Sequence, residues 1–114
     1  MQEISYVYIL SNGFKHLYIG ITADLFHRIL QHKNEVNPDS FTAQYNIKTL
    51  VYFERFTDIE AAIAREKQIK RWSRIKKLRL IVTHNPTWLD LSAEWGKPIE
   101  PFNEKNLKPP KTFT

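Results

Sequence analysis

The hydrophobic pattern along the chain sets out a short series of alternating elements. Residues 5–10 (SYVYIL) are β-branched and aromatic, which predicts a strand. Ser11-Asn12-Gly13 is a turn signal, and residues 17–21 (LYIGI) alternate as a second strand, so the pair predicts an antiparallel hairpin. Side chains alternate across a strand, so Tyr6 and Tyr8 share one face, as do Tyr18 and Gly20. A register opposing Tyr8 to Tyr18 and Tyr6 to Gly20 is expected, with all four on the same side. Asp24 is a fitting N-cap for a helix reaching about Asn34, with Leu25, Phe26 and Ile29 as its apolar face. On that wheel Arg28 and His32, four residues apart, border the apolar face, while His27, Gln31 and Lys33 point to solvent.

Residues 35–48 contain Asn37-Pro38-Asp39-Ser40, a loop signal, with Phe41 and Tyr45 as tethers to the core. Thr49–Arg55 is a third strand, apolar on both faces, which predicts a central or helix-covered position. Thr57-Asp58-Ile59-Glu60 matches a capping box with Thr57 as N-cap, opening a helix to about Arg71 whose stripe is Ile59, Ala62, Ile63 and Ile69. Ser73 caps a last helix to about Val82, with Ile75, Leu78 and Val82 inward. Trp88, Leu89, Leu91 and Trp95 form a segment that covers apolar surface. The expected fold is α/β of the α+β type: a small three-stranded, mainly antiparallel sheet flanked by helices, in the order β-β-α-β-α-α. One domain over residues 1–95 and an extended or disordered tail over 96–114 follow, because four of the six prolines lie beyond Gly96.

Composition narrows the classes. A chain of 114 residues is long enough for a core without disulfides or metal. No apolar run reaches membrane-spanning length, and Met1-Gln2-Glu3-Ile4 lacks the basic start of a secretory signal. There is no cysteine, hence no disulfide scaffold or thiolate metal site, and a reducing cytoplasm fits. The net charge of +5 and a pI near 9.5 point to a polyanionic partner. The charge is concentrated: eight of 17 Lys and Arg fall between Arg65 and Arg79, against the single acid Glu66. Glu66 interrupts an apolar helical stripe, where an unpaired carboxylate is costly to bury. It therefore requires a cation, a basic side chain such as Lys70 at i+4, or water in a cleft.

The ordered set Tyr6-Val7-Tyr8, then Tyr18-Ile19-Gly20 ten residues after Tyr8, then Arg28, His32 and a distant helical Glu66 resembles the GIY-YIG nuclease domain. Residues 41–46 (FTAQYN), Leu50-Val51-Tyr52 and residues 65–70 (REKQIK) are similar to small single-domain bacterial members related to the nuclease part of the excision-repair incision subunit. The resemblance covers about residues 5 to 95. It departs from the family's usual pattern at Tyr6, where glycine often stands, and a downstream asparagine used by some members has no assigned equivalent.

The resemblance implies a metal-dependent endonuclease cutting DNA phosphodiesters, structure-selective in repair or recombination. The alternative is a nucleic-acid-binding module with little or no catalysis. It implies Tyr8, Tyr18, Arg28, His32 and Glu66 as catalytic residues, Glu66 as ligand of one Mg²⁺ or Mn²⁺, and Arg28 as the phosphate fork. Tyr8, Tyr18 and His32 all remain open as proton acceptor, the tyrosine through a pKa lowered by metal and Arg28. Gly20 lets the backbone approach substrate or lets the tyrosines converge. Lys67, Lys70, Arg71, Arg74, Lys76 and Lys77 are the expected backbone contacts, strongly salt-dependent and largely sequence-blind. The expected partner is DNA, with no membrane, and the Trp88–Trp95 segment suits a protein partner or homodimer.

Overall fold

The computed structural model describes residues 3–34 and 37–96. The expected tail therefore lies outside the described residues, apart from Gly96. Three strands, β1 (Ser5–Ser11), β2 (Leu17–Thr22) and β3 (Thr49–Phe56), form one antiparallel sheet in the order β2-β1-β3. Four helices join them: α1 (Leu25–Lys33), α2 (Phe41–Gln44), α3 (Ile59–Arg71) and α4 (Arg74–His84). The architecture is the α+β arrangement expected, with one added turn of helix, α2, in the segment read as loop. Ser40 starts that turn by accepting the Ala43 N–H.

The central strand is β1, not β3. Alternation along β1 divides the core in two. Val7 and Ile9 face α3 and α4, joining Ile19, Val51, Tyr52, Ala62, Ile69 and Ile81. Tyr8 and Leu10 face the other way, joining Leu25, Ile29, Ile47 and Leu50. Each face of the sheet is thus covered by helix, which explains why β3 is apolar on both sides although it is an edge.

That edge is closed by the chain after α4. A bulge falls between Ile9 and Leu10, where Ile9 pairs with Tyr52 and Leu10 with Leu50, leaving Val51 as the extra residue. Its carbonyl accepts from Asn85 Nδ2 at 3.0 Å. The Leu50 N–H donates to Asp90 Oδ1, and the Leu50 carbonyl accepts from Leu91 N–H. Lys33 of α1 donates to the same Asp90 carboxylate at 2.6 Å, tying this segment to the other face. The outward backbone groups of Leu50 and the Val51 carbonyl are thereby consumed. Trp88 packs on the α3–α4 side and Trp95 on the α1 side, as expected of a covering segment.

Several local expectations are corrected. The hairpin register is shifted by two residues: Tyr8 opposes Gly20, Tyr6 opposes Thr22 and Leu10 opposes Tyr18. The cause is a longer loop. Asn12 Oδ1 accepts from both Phe14 N–H and His16 N–H, and Lys15 adopts φ 61°, so the strands close over five residues rather than three. An even shift keeps every side chain on its face. The N-cap of α3 is Asp58, whose carboxylate accepts from Glu60 N–H, rather than Thr57. In α4 the buried residue is Ile81, while Ile75 stands 67% exposed, so the inward stripe is rotated from the one expected. Ile59 and Ile63 on α3 and Phe26 on α1 are exposed, and Phe26 rests on the Trp95 ring at 5.9 Å.

Candidate active site

Tyr8 stands at the centre of the sheet face covered by α1, 1% exposed. Its phenol can occupy this place only because residue 20 is glycine. A Cβ built on Gly20 would lie 2.4 Å from both Cζ and the hydroxyl oxygen of Tyr8. The missing side chain is thus the socket for the Tyr8 ring. The bulge lies elsewhere, so Gly20 does not serve one.

A phenol buried this deeply needs a hydrogen-bond partner. His32 supplies it, its Nε2 lying 3.2 Å from the Tyr8 hydroxyl. Helix α1 positions His32 one turn beyond Arg28 on the same face. The other ring nitrogen, Nδ1, is 3.0 Å from the hydroxyl of Thr42, and Thr42 lies 3.2 Å from the Ser40 hydroxyl. Tyr18 completes the group, its ring 5.4 Å from His32 and 6.2 Å from Tyr8. No buried side-chain nitrogen or oxygen among the described residues is left without a partner.

Burial dominates the electrostatics of Tyr8. Burial pushes its phenol up to about 12, and the Arg28 guanidinium opposes this with the smaller effect. His32 is pushed down to about 4, by burial first and the Arg28 charge second. At neutral pH the pair is a phenol beside a neutral imidazole. A phenol both donates and accepts, so the imidazole tautomer sets which of the two carries the shared proton.

Next to this pair opens a cleft of about 320 Å³ lined by Tyr18, Arg28, Gln31, His32, Asn37, Ser40, Phe41 and Thr42. Arg28 is exposed, with Nη1 donating to Gln31 Oε1 at 3.3 Å. Tyr6, the departure from glycine, does not line the cleft: its ring meets Phe53 of β3 edge-on at 6.2 Å. From Phe41 at the rim, an aromatic row continues outward through Tyr45 and His16 to Phe14.

The structure thus brings together Tyr8, Tyr18, Gly20, Arg28 and His32. Glu66 lies on α3, the helix that packs on β2 and β1 through Ala62 and Ile69. Its side chain is 15% exposed and accepts from Lys70 Nζ at 2.8 Å. The basic residues do not line the cleft. Lys67, Lys70 and Arg71 are exposed on α3. On α4, Arg74 donates to the Lys15 carbonyl, Lys76 lies 4.5 Å from the Trp72 ring centre and Lys77 is half-buried. Thr42 and Ser40 were not singled out from sequence. The signal was a hydroxyl pair at the N-terminus of a helical turn too short to show a period.

A three-stranded antiparallel sheet with a paired-tyrosine face and an arginine–histidine helix defines a small GIY-YIG-type domain. The GIY-YIG catalytic domain model matches residues 4–79, and the chain belongs to that family. It is 36% identical over 80 residues to a UPF0213 protein of Haloquadratum walsbyi, covering 70% of this chain and 89% of that one. It is 40% identical over 78 residues to a UPF0213 protein of Clostridium perfringens, covering 68% and 83%. The solution NMR structure of a UPF0213 protein from Bacillus halodurans superposes with a TM-score of 0.52 at 27% identity, covering 82% of this chain and 97% of that one.

Two outcomes follow from this geometry. Gly20→Ala will drive a methyl into the Tyr8 ring, costing about 1–3 kcal/mol of stability by overpacking, read by urea unfolding. A cost under about 0.5 kcal/mol would mean that the ring has room. The depressed His32 means that the folded protein holds fewer protons than the unfolded chain between about pH 6.5 and 4. Its contribution to stability is therefore complete above pH 6.5 and is lost as pH falls toward 4. After allowance for solvent screening the loss is of the order of 1 kcal/mol. His32→Gln will flatten this part of the stability–pH curve, and an unchanged slope would contradict the assignment.

Proposed function

We propose that this chain is a metal-dependent endonuclease that hydrolyses phosphodiester bonds in DNA, acting in the cytoplasm in a structure-selective step of repair or recombination. The observation that carries the reading is the Tyr8–His32 pair set beside the exposed Arg28 fork at the mouth of one cleft. Family membership supplies the reaction class, and the net charge of +5 suits a nucleic-acid partner.

In this reading Arg28 grips the scissile phosphate, its planar donors matched to two oxygens, and offsets charge that grows in the transition state. The attacking water gives its proton to the Tyr8 hydroxyl as the phenolic proton passes to His32 Nε2. Tyr8 begins and ends as a phenol, so the step needs no prior ionisation of a group whose pKa is near 12. The phosphate's negative charge offsets Arg28 and raises the basicity of His32 as substrate arrives. Tyr18, lining the cleft beside His32, orients the water. Lys67, Lys70, Arg71, Arg74, Lys76 and Lys77 contribute to binding of the flanking backbone by electrostatic attraction.

For the metal, no three His, Asp or Glu side chains converge among the described residues. The donor chemistry suits Mg²⁺ or Mn²⁺ held by one carboxylate, with waters and phosphate oxygens as the other ligands. Glu66 is that carboxylate. Its ion pair with the half-exposed Lys70 is of the weak surface kind and is readily exchanged. When bound, such an ion acts as a Lewis acid on the phosphoryl and leaving oxygens.

The same Glu66–Lys70 pair favours a second reading, a DNA-binding module with little catalysis. Cleavage of duplex, single-stranded, flapped and branched DNA in Mg²⁺ or Mn²⁺ decides between them. Metal-dependent nicking, reduced at least about a hundredfold in Arg28→Ala and Glu66→Ala, is expected. Salt-sensitive binding without cleavage of any substrate would establish the module instead.

A further inference from the structure

The contacts beyond His32 form one chain. Tyr8 is buried, with His32 Nε2 3.2 Å from its hydroxyl. With Tyr8 as donor to Nε2, the protonated nitrogen is Nδ1, which faces Thr42 Oγ1 at 3.0 Å. Thr42 is itself 3% exposed. Its own proton has Ser40 Oγ at 3.2 Å, the same oxygen that caps α2 by accepting the Ala43 N–H. In that direction the protons of Tyr8, His32 and Thr42 each have an acceptor, and the last acceptor, Ser40 Oγ, is anchored in backbone. The Thr42 carbonyl is held as well, by the Ile47 N–H at 2.7 Å, so the hydroxyl is presented by a turn fixed at both ends.

We propose that Thr42 is a positioning residue that selects the Nδ1–H tautomer of His32 and so keeps Nε2 open as the acceptor of the Tyr8 proton. Without an acceptor at Nδ1 the imidazole proton is free to move to Nε2. The Tyr8 contact would then reverse, with the ring donating to the phenol oxygen and the buried phenolic proton left without its acceptor. Thr42 touches neither phosphate nor water in this scheme and acts only through His32. The consequence for cleavage rests on the nuclease reading above; the tautomer assignment does not.

The test is the long-range ¹H–¹⁵N spectrum of His32 in the full chain without nucleic acid, which distinguishes a protonated ring nitrogen from a bare one. The wild-type protein will show Nδ1–H at pH 7. Thr42→Ser, which keeps the hydroxyl, will retain it. Thr42→Val, which keeps the shape, will lose it or populate both tautomers, with amide shifts away from residues 28–47 unchanged. If wild type cleaves DNA, Thr42→Val will lower kcat about tenfold or more with KM little changed, and Thr42→Ser will restore most of it. A wild-type Nε2–H tautomer, or an unaltered Nδ1–H state in Thr42→Val, overturns the proposal. Should Thr42→Val not fold, the wild-type and Thr42→Ser spectra still decide. A correct tautomer response in a chain that cuts no substrate supports the positioning role and counts against the nuclease reading alone.

Discussion

Burying the Tyr8 phenol is the constraint from which the rest of the site follows. The ring takes the space that a Cβ at position 20 would fill, so the hairpin must pair Tyr8 with a glycine. The hydroxyl, removed from water, must find a partner, so α1 must deliver His32 to it. His32, half-buried in turn, must satisfy its second nitrogen, so the chain after α1 must return Thr42. One buried hydroxyl therefore links β1, β2, α1 and α2. The same burial keeps tyrosine and histidine neutral, which suits them to pass a proton rather than hold a charge.

The sheet separates two kinds of work. The α1 face carries the aromatic, imidazole and guanidinium groups around a cleft. The α3–α4 face carries the larger aliphatic cluster and most of the concentrated positive charge. Segment 85–91 closes the β3 edge with side-chain and backbone bonds, and the Lys33–Asp90 pair ties it back to α1. Among the described residues no helix is long and apolar enough to cross a membrane. Glu66, the one acid in the basic stretch, belongs to the α3 face.

Strand positions, the Asp24 and Ser73 caps and the pairing of Arg28 with His32 were legible in sequence because each depends on a local period or a single capping side chain. The register was not: it hung on Asn12 tying a five-residue loop through two backbone N–H groups, a geometry that Ser-Asn-Gly alone does not specify. The even shift left Tyr6, Tyr8, Tyr18 and Gly20 on one face. The rotation of α4 onto Ile81 reflects a tertiary demand, the meeting of this helix with Val51 and Ile69, that helical period alone leaves undetermined. Thr42 was hidden because its value lies in a contact ten residues away in sequence. The Lys70 partner of Glu66 was legible as an i,i+4 pair and is what the structure shows.

For the proposed reaction, nucleic acid must reach the cleft beside Tyr8 and His32. Backbone and side-chain chemical-shift mapping with an uncleavable oligonucleotide in the presence of Mg²⁺ tests it most directly. Shifts greatest at Tyr18, Arg28, His32 and Thr42, with smaller changes along the basic face of α3 and α4, are the predicted result. Shifts confined to α3 and α4, with the cleft residues silent, would contradict it.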